Sequence, residues 1–376
     1  MRYRRFGKTH LKLSVFSLGT MRCLASASMF EKTLLGAIEQ GINHLETAHN
    51  YGQSEQYLGN ILKKNLPIPR EQLYITTKLP PTLDKEQMRC LLEQSLHKLQ
   101  LDYIDCVAIH GINTWEHLAP FAAQTGGFLA LKKAQEEGKI CHIGFSTHGD
   151  LELILAAINT DLFEFVNLHY YYFFQRHQEA IALAAQKDMG IFIISPADKG
   201  GGLYNPPPTL SQLCQPFSPL ELNYRFLLSD PRITTLSVGP SNPEELIEPL
   251  KVADQDYPLT EAEMAVMERL EAHLHQTLNT DLCRQCYQCL PCPEEINIPE
   301  VLRLRNLAVA YEMTDFGQYR YRMFKNAGHW FPGQKADSCT HCGQCLPRCP
   351  EQLNIPELLF DTHQRLNGPL RRRLWE

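Results

Sequence analysis

From residue 14 to about residue 254 the chain alternates short apolar runs with amphipathic segments. The runs are SVFSLGT from Ser14, NHLETA from Asn43, LYITTKL from Leu73, YIDCVAIH from Tyr103, HIGFST from His142, FEFVNLHYY from Phe163, GIFIISP from Gly190 and TTLSVGP from Thr234. Each has the length and apolar character of a buried strand. Between them lie helical patterns: Asp84 to Gln100 sets Met88, Leu91, Leu92, Leu96 and Leu99 at three-and-four spacing, and Leu129 to Lys139 is a second such stretch. Eight strand-helix units predict an α/β fold, a closed (β/α)8 barrel of parallel strands rather than an open sheet. An open dinucleotide-binding sheet would carry a G-x-G-x-x-G turn after its first strand, and none follows Ser14 to Met21. The leading MRYRRFGKTHLKLS reads as a hairpin plugging the bottom of the barrel. Thr260 to His275, opened by the capping box Thr260-Glu261-Ala262-Glu263, reads as a helix closing the domain.

After Thr280 the strand pattern disappears. Helical stretches Ile298 to Met313 and Ile355 to Leu366 follow, and CPEEINIPEVL from Cys292 is repeated as CPEQLNIPELL from Cys349. The chain therefore divides into a barrel over residues 1–275 and a small, mainly helical domain over 276–376.

Eight of the 13 cysteines lie between Cys283 and Cys349, a clustering that argues against a disulfide scaffold. Cys23, Cys90, Cys106, Cys141 and Cys214 are scattered singly and read mostly as buried free thiols. Cys283, Cys286, Cys289 and Cys292 are spaced C-x-x-C-x-x-C-x-x-C-P; Cys339, Cys342, Cys345 and Cys349 are spaced C-x-x-C-x-x-C-x-x-x-C-P. Three thiolates two residues apart can wrap three corners of a cubane, and the proline turns the fourth cysteine away toward the other cluster. The predicted sets are Cys283, Cys286, Cys289 and Cys349 for one 4Fe-4S cluster, and Cys339, Cys342, Cys345 and Cys292 for a second. Two zinc sites are the alternative, but zinc ligands usually come as two C-x-x-C pairs across a longer loop. The pattern resembles the ferredoxin family, and the helical stretch between the motifs brings it nearest the alpha-helical type.

A net charge of −6 does not favour nucleic acid as a partner. No apolar run reaches 18 residues, and the basic N-terminus precedes no apolar signal segment. The expectation is a soluble, cytoplasmic protein with no membrane association.

Gly41 to Gly59, GINHLETAHNYGQSEQYLG, places Glu46 at the end of a short strand and Tyr51 just beyond it. Active sites of strand-helix barrels are built at this end. Lys78 in YITTKLP and His110 in DCVAIHG end two further strands. Across nearly all of residues 1–275 these features resemble the aldo/keto reductase family. The opening MRYRRFGKTHLKLSVFSLGT matches its hairpin and first strand, and Gly41 to Gly59 matches its G-x-N-x-x-D-T-A-x-x-Y-G-x-S-E motif. Lys78 matches its strand-three lysine, and His110 its strand-four histidine. The cluster domain narrows the likeness to the iron-sulfur branch of that family.

The resemblance implies an NAD(P)H-dependent oxidoreductase acting on a small-molecule carbonyl or alcohol. Hydride addition leaves charge on the carbonyl oxygen, which must be protonated. A tyrosine with an ordinary pKa of about 10 needs a nearby cation to do this at neutral pH. Tyr51 is the expected acid, Lys78 the cation, Glu46 its anchor, and His110 the group that orients the substrate carbonyl. Taken singly, Tyr51 reads better as a rim aromatic and His110 as a satisfied strand-end residue; the four together favour catalysis.

The expected cofactor contacts are Ser146 and Asn167 at the nicotinamide, Ser195, Lys199 and Gly200 in the loop after the seventh barrel strand, and Gly239, Ser241 and Asn242 after the eighth. The chain departs from the family pattern in four places. Glu46 stands where an Asp is usual, Ser146-Thr147 replaces Ser-Asn, Asn167 replaces Gln, and Ile194 replaces an aromatic that stacks on the ring. Glu244 and Glu245 occupy the segment where NADPH-preferring members place a basic residue, which makes NADH at least as plausible.

The clusters imply single-electron transfer, possible with a redox protein partner, yet no flavin motif is evident to split a hydride. The alternative to an enzyme is a cluster-bearing electron carrier or redox sensor on a retained barrel. Arg371-Arg372-Arg373 could dock an acidic partner or be merely solvated. Tyr170 to Phe174 could line an apolar mouth or serve as core.

Overall fold

The computed structural model describes residues 1–64, 66–82, 84–255 and 258–369. Two antiparallel strands, β1 (Tyr3–Arg5) and β2 (Lys12–Ser14), form the expected hairpin. Eight parallel strands follow: β3 (Phe16–Gly19), β4 (His44–Glu46), β5 (Tyr74–Leu79), β6 (Ile104–His110), β7 (Ile140–Ser146), β8 (Phe165–Leu168), β9 (Gly190–Ile193) and β10 (Thr235–Val238). They close in the order β10-β3-β4-β5-β6-β7-β8-β9. Seven of the eight runs contain one of these strands whole, and β7 begins at Ile140, two residues before its run from His142.

β8 is shorter than its run. It stops at Leu168, and Tyr171 and Phe174 then exchange two backbone hydrogen bonds of 2.9 Å that fold the chain back. The aromatic run is thereby divided. Tyr170 is buried and stacks on Phe226 at 5.7 Å, Tyr171 is buried, and Tyr172, Phe173 and Phe174 are half-buried.

The hairpin seals one end of the barrel. Phe6 and Leu13 pack into a buried cluster with Cys106, Ala108, Phe165 and Phe192. Gly7, at φ +52, runs so close to β9 that a Cβ would lie 2.3 Å from the Gly190 nitrogen, so only glycine fits. Inside the barrel, His44 Nδ1 is 2.6 Å from Ser17 Oγ, and its Nε2 is 2.7 Å from Thr76 Oγ1. Burial, and then the charge of Lys78, lower the His44 pKa to about 3. The ring is therefore neutral, with one nitrogen donating and one accepting.

The helix predicted from Asp84 runs Lys85–Leu99, with Asp84 as its N-cap accepting from the Gln87 amide, and Met88, Leu92, Leu96 and Leu99 buried. The stretch predicted from Leu129 is the helix Gly127–Glu136. By packing, the chain forms two compact units, Met1–Gly200 with Asn223–Leu259, and Gly201–Leu222 with Thr260–Glu376. The helix expected to close the barrel's domain, Glu261–Leu278 with its Thr260–Glu263 capping box, packs within the second unit. The reason is its partners: Tyr311 donates to the Leu270 carbonyl at 2.9 Å, and Arg269 Nε donates to the Leu213 carbonyl at 2.8 Å.

The second unit also holds the helices Pro208–Cys214, Ile298–Tyr311, Thr314–Tyr321 and Ile355–Leu366. The first of the two predicted cluster-domain helices ends at Tyr311 because Glu312 turns left-handed, at φ 57. Of the scattered cysteines, Cys23, Cys106 and Cys214 are buried as expected, whereas Cys90 and Cys141 are exposed. Among the described residues no helix is long and apolar enough to cross a membrane. Arg371-Arg372-Arg373 lie outside the described residues.

Candidate active site and cluster site

Glu46 ends β4, Lys78 lies on β5 and His110 ends β6, so three adjacent strands deliver three side chains to the C-terminal end of the barrel. Tyr51 comes from the turn after β4. That turn is held by a triangle of hydroxyls: Thr47 Oγ1 is 2.7 Å from Ser54 Oγ, and Ser54 donates to Thr20 Oγ1 at 2.6 Å. Lys78, 2% exposed, makes a direct ion pair with Glu46, 4% exposed. Its Nζ also donates to the Tyr51 hydroxyl at 3.2 Å and to the Thr47 carbonyl at 3.5 Å. The His110 ring meets the Tyr51 ring edge-on, 5.7 Å between centroids.

The four candidate catalytic side chains are thus brought together, and Glu46 reaches Lys78 despite its extra methylene. Burial, and then the charge of Lys199, pull the Lys78 pKa well below its ordinary value. The Glu46 carboxylate in contact opposes that pull.

Ser146 and Asn167 lie side by side at the ends of β7 and β8, paired in register. Ser146 Oγ accepts from the Gly111 amide at 3.1 Å and donates to the Ile109 carbonyl at 3.3 Å, leaving one acceptor position. Asn167 is wholly buried, and neither its Nδ2 nor its Oδ1 has a hydrogen-bond partner among the described residues. A buried amide lacking both partners is costly, and a carboxamide, itself one donor and one acceptor, is the complement it fits. Ile194 is half-buried against the core cluster.

The loop after β9 is a compact turn. Ser195 is left-handed at φ 53, the Lys199 amide bonds the Ser195 carbonyl at 3.1 Å, and a Cβ on Gly200 would lie 2.0 Å from the Pro196 oxygen.

After β10, Arg22 donates to the Gly239 carbonyl at 2.7 Å. Ser241 gives its amide and its hydroxyl to the Glu245 carboxylate, at 3.0 and 2.5 Å, and Asn242 Oδ1 accepts from the Glu245 amide at 3.1 Å. Arg22 closes on the same carboxylate at 3.0 Å. Burial alone would raise the Glu245 pKa; the Ser241 hydrogen bonds and the Arg22 charge outweigh it and hold the pKa down. A protein carboxylate therefore already sits among the donors expected to meet a phosphate.

In the second unit, one cavity is lined by Cys289, Cys292, Cys339, Cys342 and Cys345. Electrostatic influence divides the thiols into two sets that meet at Cys289. After burial, which pushes it up to about 11, Cys283 is affected by Cys286 and Cys349; Cys345, also raised chiefly by burial, is affected by Cys339, Cys292 and Cys342. Cys289, raised by burial to about 12, is affected by Cys283 and Cys286 and then by Cys345.

The two motifs share a backbone rhythm. Gln285 and Tyr287 are left-handed at φ 55 and 62, and their counterparts His341 and Gly343 at φ 55 and 72. Left-handed residues between cysteines turn successive amides toward one concavity, the kind of nest that receives an anionic cluster. Among the described residues no group of three or more His, Cys, Asp or Glu side chains is gathered so as to hold a single metal ion.

Sequence reasoning overlooked His148 and His169, which hydrogen-bond to each other just beyond the ends of β7 and β8. The available signal was their position, two residues beyond Ser146 and Asn167 on neighbouring strands.

Residues 17–206, half of the chain, match the sequence model described as the aldo/keto reductase family, and residues 282–354 match that of the 4Fe-4S dicluster domain. Among curated proteins, the L-glyceraldehyde 3-phosphate reductase of Escherichia coli (strain K12) is 27% identical over 164 residues, covering 39% of this chain and 46% of that protein. The chain thus spans about half the length of the first curated relatives it matches. An uncharacterized oxidoreductase of Bacillus subtilis (strain 168), YqkF, is 22% identical over 315 residues, 74% of this chain and 98% of that protein. Among solved structures, the aldo-keto reductase AKR11C1 from Bacillus halodurans in its holo form superposes with a TM-score of 0.60 at 21% identity, covering 72% of this chain and 96% of that one. That likeness establishes the barrel fold.

Proposed function

This chain belongs to the aldo/keto reductase family and is an oxidoreductase with an iron-sulfur dicluster domain, and on that premise we propose that its barrel exchanges hydride between a nicotinamide dinucleotide and a small carbonyl compound. The observation that carries the reading is the placement of the Lys78 ammonium between the Glu46 carboxylate and the Tyr51 hydroxyl, 3.2 Å from the latter. Hydride added to the carbonyl carbon leaves a developing oxyanion. The Tyr51 hydroxyl gives that oxygen its proton, and Lys78 stabilises the charge left on the phenolate. Glu46 keeps Lys78 protonated in its buried position, and His110 directs the carbonyl oxygen toward Tyr51. In the oxidative direction the same groups take the proton back.

The nicotinamide supplies or takes the hydride when bound, and Asn167 with the remaining acceptor of Ser146 would hold its carboxamide. At the other end, the Arg22–Glu245 ion pair commits the basic group of this segment to a protein carboxylate rather than to a 2'-phosphate, which favours NADH. Cys283, Cys286, Cys289 and Cys349 would hold one 4Fe-4S cluster, and Cys339, Cys342, Cys345 and Cys292 the other. Bound there, the clusters would supply single-electron exchange with a redox partner.

The test is anaerobic purification with iron and sulfide analysis, then NADH- and NADPH-dependent reduction of an aldehyde panel by wild type and Tyr51→Phe. Loss of reduction in the variant with cluster content intact is expected. Equal rates in both, or no reduction by wild type, would sink the catalytic reading and leave electron carriage in its place.

A further inference from the structure

A polar chain separate from the groups used above ties together the tips of three barrel strands. His148 lies two residues beyond Ser146 on β7, and His169 two residues beyond Asn167 on β8. Their Nε2 atoms are 3.2 Å apart. His169 Nδ1 meets the Tyr171 hydroxyl, which in turn donates to the Ile194 carbonyl, just past β9, at 2.5 Å.

With both imidazoles neutral, counting protons gives the direction of each bond. Tyr171 has one hydrogen, given to Ile194, so it accepts from His169 Nδ1–H. A neutral His169 then accepts at Nε2, from His148 Nε2–H. Below this row, Arg176 Nε donates to His177 Nε2 at 3.0 Å, His177 Nδ1 donates to the His169 carbonyl at 2.8 Å, and Arg176 Nη2 donates to the Gly149 carbonyl at 3.3 Å. Every bond in the set spans, or braces, the tips of β7, β8 and β9.

Those three tips carry the expected nicotinamide contacts. The Asn167 side-chain amide has no hydrogen bond among the described residues to fix its orientation; only its backbone is held, in the ladder. Its position, and its spacing from Ser146 and from the left-handed Ser195, depend on the strand ends being fixed relative to one another.

We propose that His148, His169 and Tyr171 are positioning residues for the nicotinamide end of the cofactor site, a hydrogen-bonded brace that sets Ser146, Asn167 and the Ile194–Ser195 backbone at the spacing a nicotinamide carboxamide requires. The proposal rests on the reading that the barrel binds a nicotinamide dinucleotide. It deepens that reading by assigning residues that touch neither cofactor nor substrate.

The experiment titrates full-length, cluster-loaded protein with NADH by fluorescence and with ADP-ribose, which lacks the nicotinamide, by calorimetry. The variants are Tyr171→Phe, His169→Leu and His169→Asn, the last keeping an N–H where Nδ1 stood. Tyr171→Phe and His169→Leu are expected to weaken NADH binding roughly three- to tenfold, the worth of one or two ordinary hydrogen bonds. ADP-ribose affinity should stay at the wild-type value, and His169→Asn should recover part of the loss. Equal weakening of both ligands, or unchanged NADH affinity, would overturn the proposal. Should His169→Leu fail to fold, Tyr171→Phe, which removes a single oxygen, carries the test. Wild type that binds neither NADH nor NADPH would overturn the cofactor reading, and this proposal with it, before any variant is compared.

Discussion

Replacing Glu46 with Gln isolates the electrostatics of the proposed catalytic centre. Lys78 is 2% exposed, and its ammonium has Glu46 as ion-pair partner and two neutral hydrogen-bond acceptors, Tyr51 and Thr47. Removing one member of a buried pair costs about 3 to 5 kcal/mol, because the remaining charge stays out of water without compensation. Lysine has a second course, which is to give up its proton. Starting from an ordinary pKa of about 10.4, at about 1.36 kcal/mol per pH unit, that costs roughly 4.6 kcal/mol at pH 7 and roughly 1.9 kcal/mol at pH 9. The destabilisation of the variant therefore has a ceiling that falls as pH rises.

The sign follows from proton counts. The unfolded variant holds the Lys78 proton that the folded variant has lost, so its stability climbs with pH up to the unfolded pKa. Urea unfolding at pH 7 and pH 9 should show the gap to wild type narrowing from about 3 to 5 kcal/mol to about 2 kcal/mol. Carbonyl reduction at pH 7 should fall by about 10²-fold or more, because Tyr51 loses the cation beside it. A gap that is absent, or constant across this pH range, would refute the claim that Lys78 is held as a cation by Glu46.

Two further outcomes are expected. His44, with its pKa lowered to about 3, stays neutral in the fold while an unfolded histidine protonates near pH 6.5, so its contribution is complete above that pH and is lost as pH falls toward 3. Between pH 7 and pH 5 wild type should lose roughly 2 kcal/mol more stability than His44→Gln, and parallel urea-stability profiles would disprove it. Cys349→Ser should reduce iron per chain by about half and leave the electron paramagnetic resonance signal of a single reduced cluster. Full iron content with an unchanged coupled spectrum would remove Cys349 from the ligand set.

Features encoded over a few residues were legible without coordinates. The Thr260–Glu263 capping box is local chemistry, each side chain bonding a backbone amide three residues away. The eight strands were legible because burial on both faces leaves short, mainly apolar runs between the helical patterns. What escaped depends on register across strands or on contacts distant in sequence. The His148–His169 contact needs β7 and β8 aligned, which no periodicity reports. Glu245 was read as a charge facing a ligand, whereas it turns inward to Ser241 and to Arg22, 223 residues away. The aromatic run after β8 looked continuous, but two backbone hydrogen bonds between Tyr171 and Phe174 reverse it.

The repeated cluster half has an implication for ancestry. Asn297 and Asn354 precede their helices with nearly the same dihedral angles, φ −77, ψ 73 and φ −75, ψ 72, so the duplication is one of backbone as well as of letters. Yet Cys292 stands among the thiols of the later half, and Cys349 beside Cys283 of the earlier one. With the proposed ligand sets, neither half supplies four thiols to one cluster by itself. A chain carrying one copy would have been complete only when two molecules met, so tandem fusion would have turned an encounter between molecules into a fold within one.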